Sequence, residues 1–165
     1  MRIAITNPTT WPQLRRGVER FMNELATWLS SRGHDVTIIT AHPGPTEVRN
    51  ENNHRTILHR RLWTPALGRA GFLEVHAFAL TTFAALMRDS YDIVHCCTFM
   101  DAFAARAARR ITGTPYIFWV NALPPKILYY KSMSTGGAVF RRAVLGADEL
   151  IVLSEYKQNT FAERF

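Results

Sequence analysis

Residues 17–40 read GVERFMNELATWLSSRGHDVTIIT, and the change of period inside this stretch decides the fold. From Val18 the apolar positions Val18, Phe21, Met22, Leu25 and Leu29 recur at i, i+3, i+4, i+7 and i+11, which is one stripe of a helix. Gly33 follows as a left-handed stop, and Val36–Thr40 is a compact β-branched run. Upstream, Ile3–Thr6 is a similar run, followed by the turn formers Asn7, Pro8, Pro12 and Gly17. Residues 2–40 therefore predict strand, long loop, helix, strand. That order is a βαβ unit, and such short apolar strands suit a parallel sheet covered on both faces.

The pattern continues along the chain. Residues 41–55, AHPGPTEVRNENNHR, are polar and rich in turn formers, and no strand is assigned to them. Thr56–Trp63 is a weakly patterned third strand. A helix runs from about Gly71 to Met87, with Phe72, Val75, Ala79, Thr82, Phe83 and Leu86 on one side. Tyr91–His95 is the next strand and Phe99–Ile111 the next helix. Gly113 and Pro115 then break the chain before the strand Tyr116–Val120. Asn121–Gly137 reads as loop, followed by a basic helix with Arg141 and Arg142. Leu150–Leu153 is the last strand, and Ser154 is placed to N-cap a final helix that barely begins. About six strands alternate with helices, which predicts a doubly wound, mainly parallel α/β sheet, Rossmann-like, with ligands at the carboxyl ends of the strands.

At 165 residues the chain has room for one domain with a full core. Its 47% hydrophobic and 20% charged composition excludes disorder. Cys96 and Cys97 are neighbours that point to opposite faces of an extended chain, so they make neither a disulfide framework nor a zinc set, and His95 beside them adds no spaced partner. No metal is expected. With no membrane-spanning run and no signal-peptide pattern at MRIAITNP, a cytoplasmic location is expected. The net charge of +7 comes from 17 Arg and 3 Lys without a basic tail. It suits an anionic partner or an arginine bias alone, and the dispersed charge and absence of a recognised motif argue against nucleic acid.

The loop after the first strand, NPTTWPQLRRG, contains neither GxGxxG nor GxxxxGK[ST], which removes the dinucleotide fingerprint and the P-loop. It does place Gly17 just before a helix, where bare N–H groups and the positive end of the dipole could receive a phosphate, or where the glycine only makes a turn. Taken together, Gly17, Arg32–Val36 (RGHDV), Asp92–His95 (DIVH), Gly113–Pro115 (GTP) and Ala147–Glu155 (ADELIVLSE) resemble, in order and spacing, the amino-terminal domain of family 4 glycosyltransferases. The resemblance implies one half of a GT-B architecture, in which two Rossmann-like domains face each other across a cleft and the amino-terminal one mainly holds the acceptor.

It further implies a retaining transfer from a nucleotide diphosphate sugar, the co-substrate, to a hydroxyl of a glycan or lipid-linked acceptor, as in polysaccharide or glycolipid synthesis. Relatives hold the donor on a carboxyl-terminal domain that this sequence lacks, so a donor-binding domain or separate subunit is expected as partner, and the isolated chain is expected to be inactive. Relatives often carry a doubled glycine before the first helix and a histidine after the fifth strand, whereas this chain has Arg16 beside Gly17 and Asn121. Arg16 could obstruct a diphosphate or pair with it. Asn121 could hold a sugar hydroxyl or close a strand-end turn, but it takes no proton near neutral pH.

By the same resemblance, Arg16 and Gly17 face the donor phosphate, while His95, Asn121, Leu123, Lys126 and Tyr129 line the acceptor side; His95 and Asn121 are the catalytic candidates. His95 reads equally as a core histidine. His34 and His76 read as turn and groove or core residues. Arg60, Arg61, Trp63 and Arg69 mix cations with large apolar neighbours, as an anionic membrane surface requires or as a solvated charged face shows. The alternative from another class is a non-catalytic α/β binding module.

Overall fold

In the computed structural model, residues 1–62, 65–66, 74–121 and 141–164 are described. β1 (Arg2–Thr6), α1 (Gly17–Ser31) and β2 (Asp35–His42) form the predicted βαβ unit. β3 (Glu47–Glu51) and β4 (His54–Arg60) follow, then α2 (Glu74–Arg88), β5 (Ile93–Cys96), α3 (Phe99–Thr112), β6 (Tyr116–Val120), β7 (Glu149–Val152) and α4 (Glu155–Arg164). Among the described residues these strands make one seven-stranded sheet in the order β3-β4-β2-β1-β5-β6-β7. All neighbours are parallel except β3 and β4.

That pair corrects the reading of residues 41–55. Asn52 and Asn53 both adopt positive φ, 50° and 64°, so a tight two-residue turn of the kind asparagine tolerates joins β3 to β4 as a hairpin. The polar β3, mostly exposed, carries no apolar period because it is an edge strand with little to bury. The final helix also runs further than expected, through Arg164, with Ser154 Oγ accepting from Lys157 N at 3.3 Å.

Helices cover both faces. Ala4, Ile39, Val94, Cys96, Phe118 and Val120 pack with Phe78 and Leu86 of α2 and with Ala102, Ala105 and Ala108 of α3. On the other face Ile3, Ile5, Val36, Ile38, Cys97 and Trp119 meet Met22 and Ala26 of α1, flanked by Val18, Phe21, Leu25 and Leu29. Cys96 and Cys97 thus lie in separate cores, and burial holds both thiols well above their ordinary pKa, with Asp101 adding to it. They are protonated, structural thiols.

The motif residues at the amino edge of the sheet build this frame. Asp92 Oδ2 accepts from Arg2 N at 2.7 Å, and Arg2 O accepts from Asp92 N at 2.8 Å. Asp148 does the same for Tyr116, at 3.0 and 2.9 Å. Gly33 and Gly113, at φ +83° and +76°, take the left-handed positions that let α1 and α3 turn into the next strand.

Candidate functional site

The opposite, carboxyl edge is where a parallel sheet receives ligands, and here the ends of β1, β5 and β6 are laced together. Cys97 N donates to Thr6 O at 3.1 Å, Asn7 N to Ile39 O at 3.1 Å, and Asn121 Nδ2 to Cys97 O at 3.0 Å. Lys157 Nζ reaches Asn121 O at 2.8 Å, which ties α4 to the same edge. The Asn121 amide is therefore engaged in closing the strand ends.

The loop 7–16 is pinned by a relay of polar groups. Asn7 Nδ2 donates to Thr9 O (2.6 Å), Thr9 Oγ1 to Glu19 Oε1 (2.6 Å), and Arg16 Nη2 to the same Glu19 oxygen (2.7 Å). Glu19 is 1% exposed. Burial works to raise its pKa, yet the hydrogen bonds from Arg16 and Thr9 outweigh burial and hold the carboxyl below its ordinary value. The Arg16 guanidinium thus turns back onto Glu19. Breaking this relay with Glu19→Gln is expected to lower stability by about 1–2 kcal/mol, since Arg16 is largely exposed and recovers water. It should also speed proteolysis within residues 7–16; an unchanged urea midpoint with unchanged cleavage would show that the relay holds nothing.

Behind this loop α1 begins at Gly17 without a side-chain cap from Arg16. The Glu19 carboxylate of its first turn bonds its own N–H, and a Cβ placed on Gly17 would meet nothing within 4 Å. The N–H groups that Glu19 leaves free, with the positive dipole end, can take an anion.

His95, by contrast, is 5% exposed, edge-on to Trp119 with ring centroids 6.5 Å apart. Its Nε2 has no hydrogen-bond partner among the described residues, and burial pushes its pKa down to about 4. At neutral pH it is an uncharged imidazole beside the site. Of the remaining expected site residues, Arg60 and Arg61 stand at the end of β4, two strands from β1 and so about 10 Å along the sheet. Trp63, Arg69, Leu123, Lys126 and Tyr129 lie outside the described residues.

A fully buried carboxyl escaped the sequence reading. Asp101, in the first turn of α3, closes a capping box with Thr98: Thr98 N donates to Asp101 Oδ2 (3.3 Å) and Asp101 N to Thr98 Oγ1 (3.4 Å). Burial, offset in part by hydrogen bonds from Thr98 and Thr6, pushes its pKa up to about 7. The signal was present as T-x-x-D before an apolar run. Among the described residues no three His, Cys, Asp or Glu side chains converge as metal ligands.

Residues 15–165 match the family model described as Glycosyltransferase Family 4. The chain belongs to glycosyltransferase family 4. A search of curated protein sequences found no match. Among solved structures, this family 4 chain is similar to sucrose-phosphate synthase from Thermosynechococcus elongatus, with TM-score 0.74 and 17% identity over 99% of this chain and 45% of that one. It is also similar to an E. coli structure titled for trehalose-6-phosphate, bound with UDP-2-fluoro glucose, with TM-score 0.63 and 11% identity over 99% and 42%. A third is UGT89C1 from Arabidopsis thaliana complexed with UDP, with TM-score 0.59 and 11% identity over 97% and 46%. These likenesses carry the fold: a Rossmann-like sheet of the GT-B kind. The chain spans less than half the length of these three structures.

Proposed function

We propose that this family 4 chain is the acceptor-binding half of a retaining glycosyltransferase, working with a donor-binding domain or subunit that carries most of the nucleotide diphosphate sugar. The observation that supports this reading best is the start of α1 at Gly17, which takes no cap from Arg16, has free space along the Gly17 side-chain direction and follows the loop that leaves the laced end of β1. In sugar transfer the burden is electrostatic: the diphosphate must leave with its charge stabilised while an acceptor hydroxyl is held against the anomeric carbon. The N–H groups and dipole of α1 stabilise that charge. Arg16 keeps the loop in place through Glu19, and Asn121 sets the spacing of the strand ends rather than moving a proton. His95, neutral and buried, borders the acceptor side as a wall.

The reaction is tested on the chain joined to its donor domain, with nucleotide diphosphate sugars and glycan or lipid-linked acceptors, by reading the anomeric configuration of the product. Retention is expected. Inversion would overturn the mechanism, and binding of acceptor without any transfer would favour the non-catalytic module.

A lipid-linked acceptor also calls for contact with the inner membrane face. Among the described residues no helix is long and apolar enough to cross a membrane, so the contact would be peripheral. The exposed Arg60 and the half-exposed Leu62, just beyond β4, support it. Binding to vesicles containing anionic lipid should weaken as salt rises and fall with Arg60→Glu. Salt-independent binding, or none, would remove the membrane from this reading.

A further inference from the structure

We infer that the cleft between Trp11 and the outer flank of α1 is a carbohydrate subsite for a pyranose unit bearing one anionic group. Trp11 of loop 7–16 forms with Arg20, Asn23 and Glu24 of α1 the wall of a cleft of about 260 Å³. That is below the roughly 300–1,000 Å³ of a drug-sized pocket and suits a single ring.

The lining has the two kinds of surface that a sugar presents to a protein. Trp11 is 37% exposed, and the negative face of an indole attracts the polarised C–H groups on one side of a pyranose. In the same lining Arg20 Nε and Glu24 Oε1 pair at 2.7 Å, a neutral unit that retains guanidinium donors and a second carboxylate oxygen for neighbouring hydroxyls. Asn23 adds an amide with both donor and acceptor.

The charge balance selects the anion. Arg16 is matched by Glu19 and Arg20 by Glu24. The Arg15 guanidinium lies 5.7 Å from the centroid of the Trp11 ring, and among the described residues no carboxylate pairs with it. One cation without a carboxylate partner among the described residues therefore stands over one face of the Trp11 ring, where it can make a charge-assisted bond to a carboxylate or phosphate of a sugar bound at that residue. Trp28 with Arg32, 4.9 Å from its ring, repeats the cation and aromatic pair at the far end of α1. None of the described cavities is lined by that pair.

The subsite's place in catalysis rests on the transferase reading, but its occupancy does not. The test follows the indole N–H signals of the four tryptophans in the nitrogen-labelled chain, assigned by single Trp→Phe variants, during titration with glucuronate, glucose 6-phosphate, glucose and inorganic phosphate. Glucuronate or glucose 6-phosphate should move the Trp11 signal saturably, about tenfold more tightly than glucose, with Trp28 and Trp119 still. The comparison of the two acids identifies the anion as carboxylate or phosphate. Arg15→Gln should bring the acids to the level of glucose, and the unmoved Trp119 signal reports that the fold is kept.

No saturable shift with any sugar, equal binding of glucose, or an equal shift with inorganic phosphate alone would overturn the inference. A chain that transfers sugar yet fails here loses only this cleft. One that binds here yet transfers nothing loses only the transferase reading.

Discussion

Replacing Gly17 by tryptophan in the assembled transferase is expected to cut sugar transfer about a hundredfold or more, the loss typical of removing one preorganised donor to a developing negative charge. The indole would extend from the free side-chain direction of Gly17 across the start of α1, which takes no cap from Arg16. Stability should change little. Gly17 is not among the positive-φ glycines, which in the described residues are Gly33 and Gly113, and its side-chain direction is free of contacts within 4 Å. Gly17→Ala should therefore retain most activity and serves as the control. Measuring kcat with saturating donor and the urea midpoint of the same variants separates the two effects. Full transfer by a folded Gly17→Trp protein would show that the diphosphate does not meet this helix.

Asp101→Asn is expected to change how stability depends on pH. The native carboxyl titrates near 7 against an ordinary 3.8, so between those values the folded chain binds more protons than the unfolded one. Its contribution is fully present below about pH 4 and is lost as pH rises through about 7. At ~1.4 kcal/mol per pH unit the span is at most about 4 kcal/mol. His95 acts with the opposite sign. Its pKa falls from 6.5 to about 4, so its contribution is present above about pH 6.5 and is lost as pH falls toward 4, by at most about 3 kcal/mol.

The two contributions nearly cancel between about pH 4 and 6.5, which leaves the native chain only the shallower rise that His54 and His59 add, since burial lowers their pKa as well. Asparagine at position 101 keeps an oxygen for the Thr98 cap but has no proton to lose. The variant should gain stability relative to the native chain as pH rises toward 7, exposing the His95 slope. Urea unfolding of both chains across this range is the measurement, and parallel profiles would mean that Asp101 titrates normally.

The sequence alone determined the framework, because the framework depends on local periodicity. The i, i+3, i+4 stripe of α1, the β-branched runs at Ile3–Thr6 and Val36–Thr40, and the stops at Gly33 and Gly113 each need only neighbours along the chain. Among the residues that carry the family resemblance, Asp92 and Asp148 bind strand to strand at the amino edge and Gly113 ends α3 there. They report the fold well for that reason, and they lie away from the ligand-facing edge.

What only the tertiary structure decided is where isolated polar groups spend their hydrogen bonds and charge. No spacing could say that Arg16 is taken up by Glu19, that Asn121 closes onto Cys97 O, or that Asp101 is fully buried. The β3–β4 hairpin was hidden likewise, since a polar edge strand is specified by its partner and by two left-handed asparagines rather than by an apolar period. Burial and pairing are properties of contacts between distant segments, and a pKa of about 7 or about 4 exists only once those segments have closed around the group.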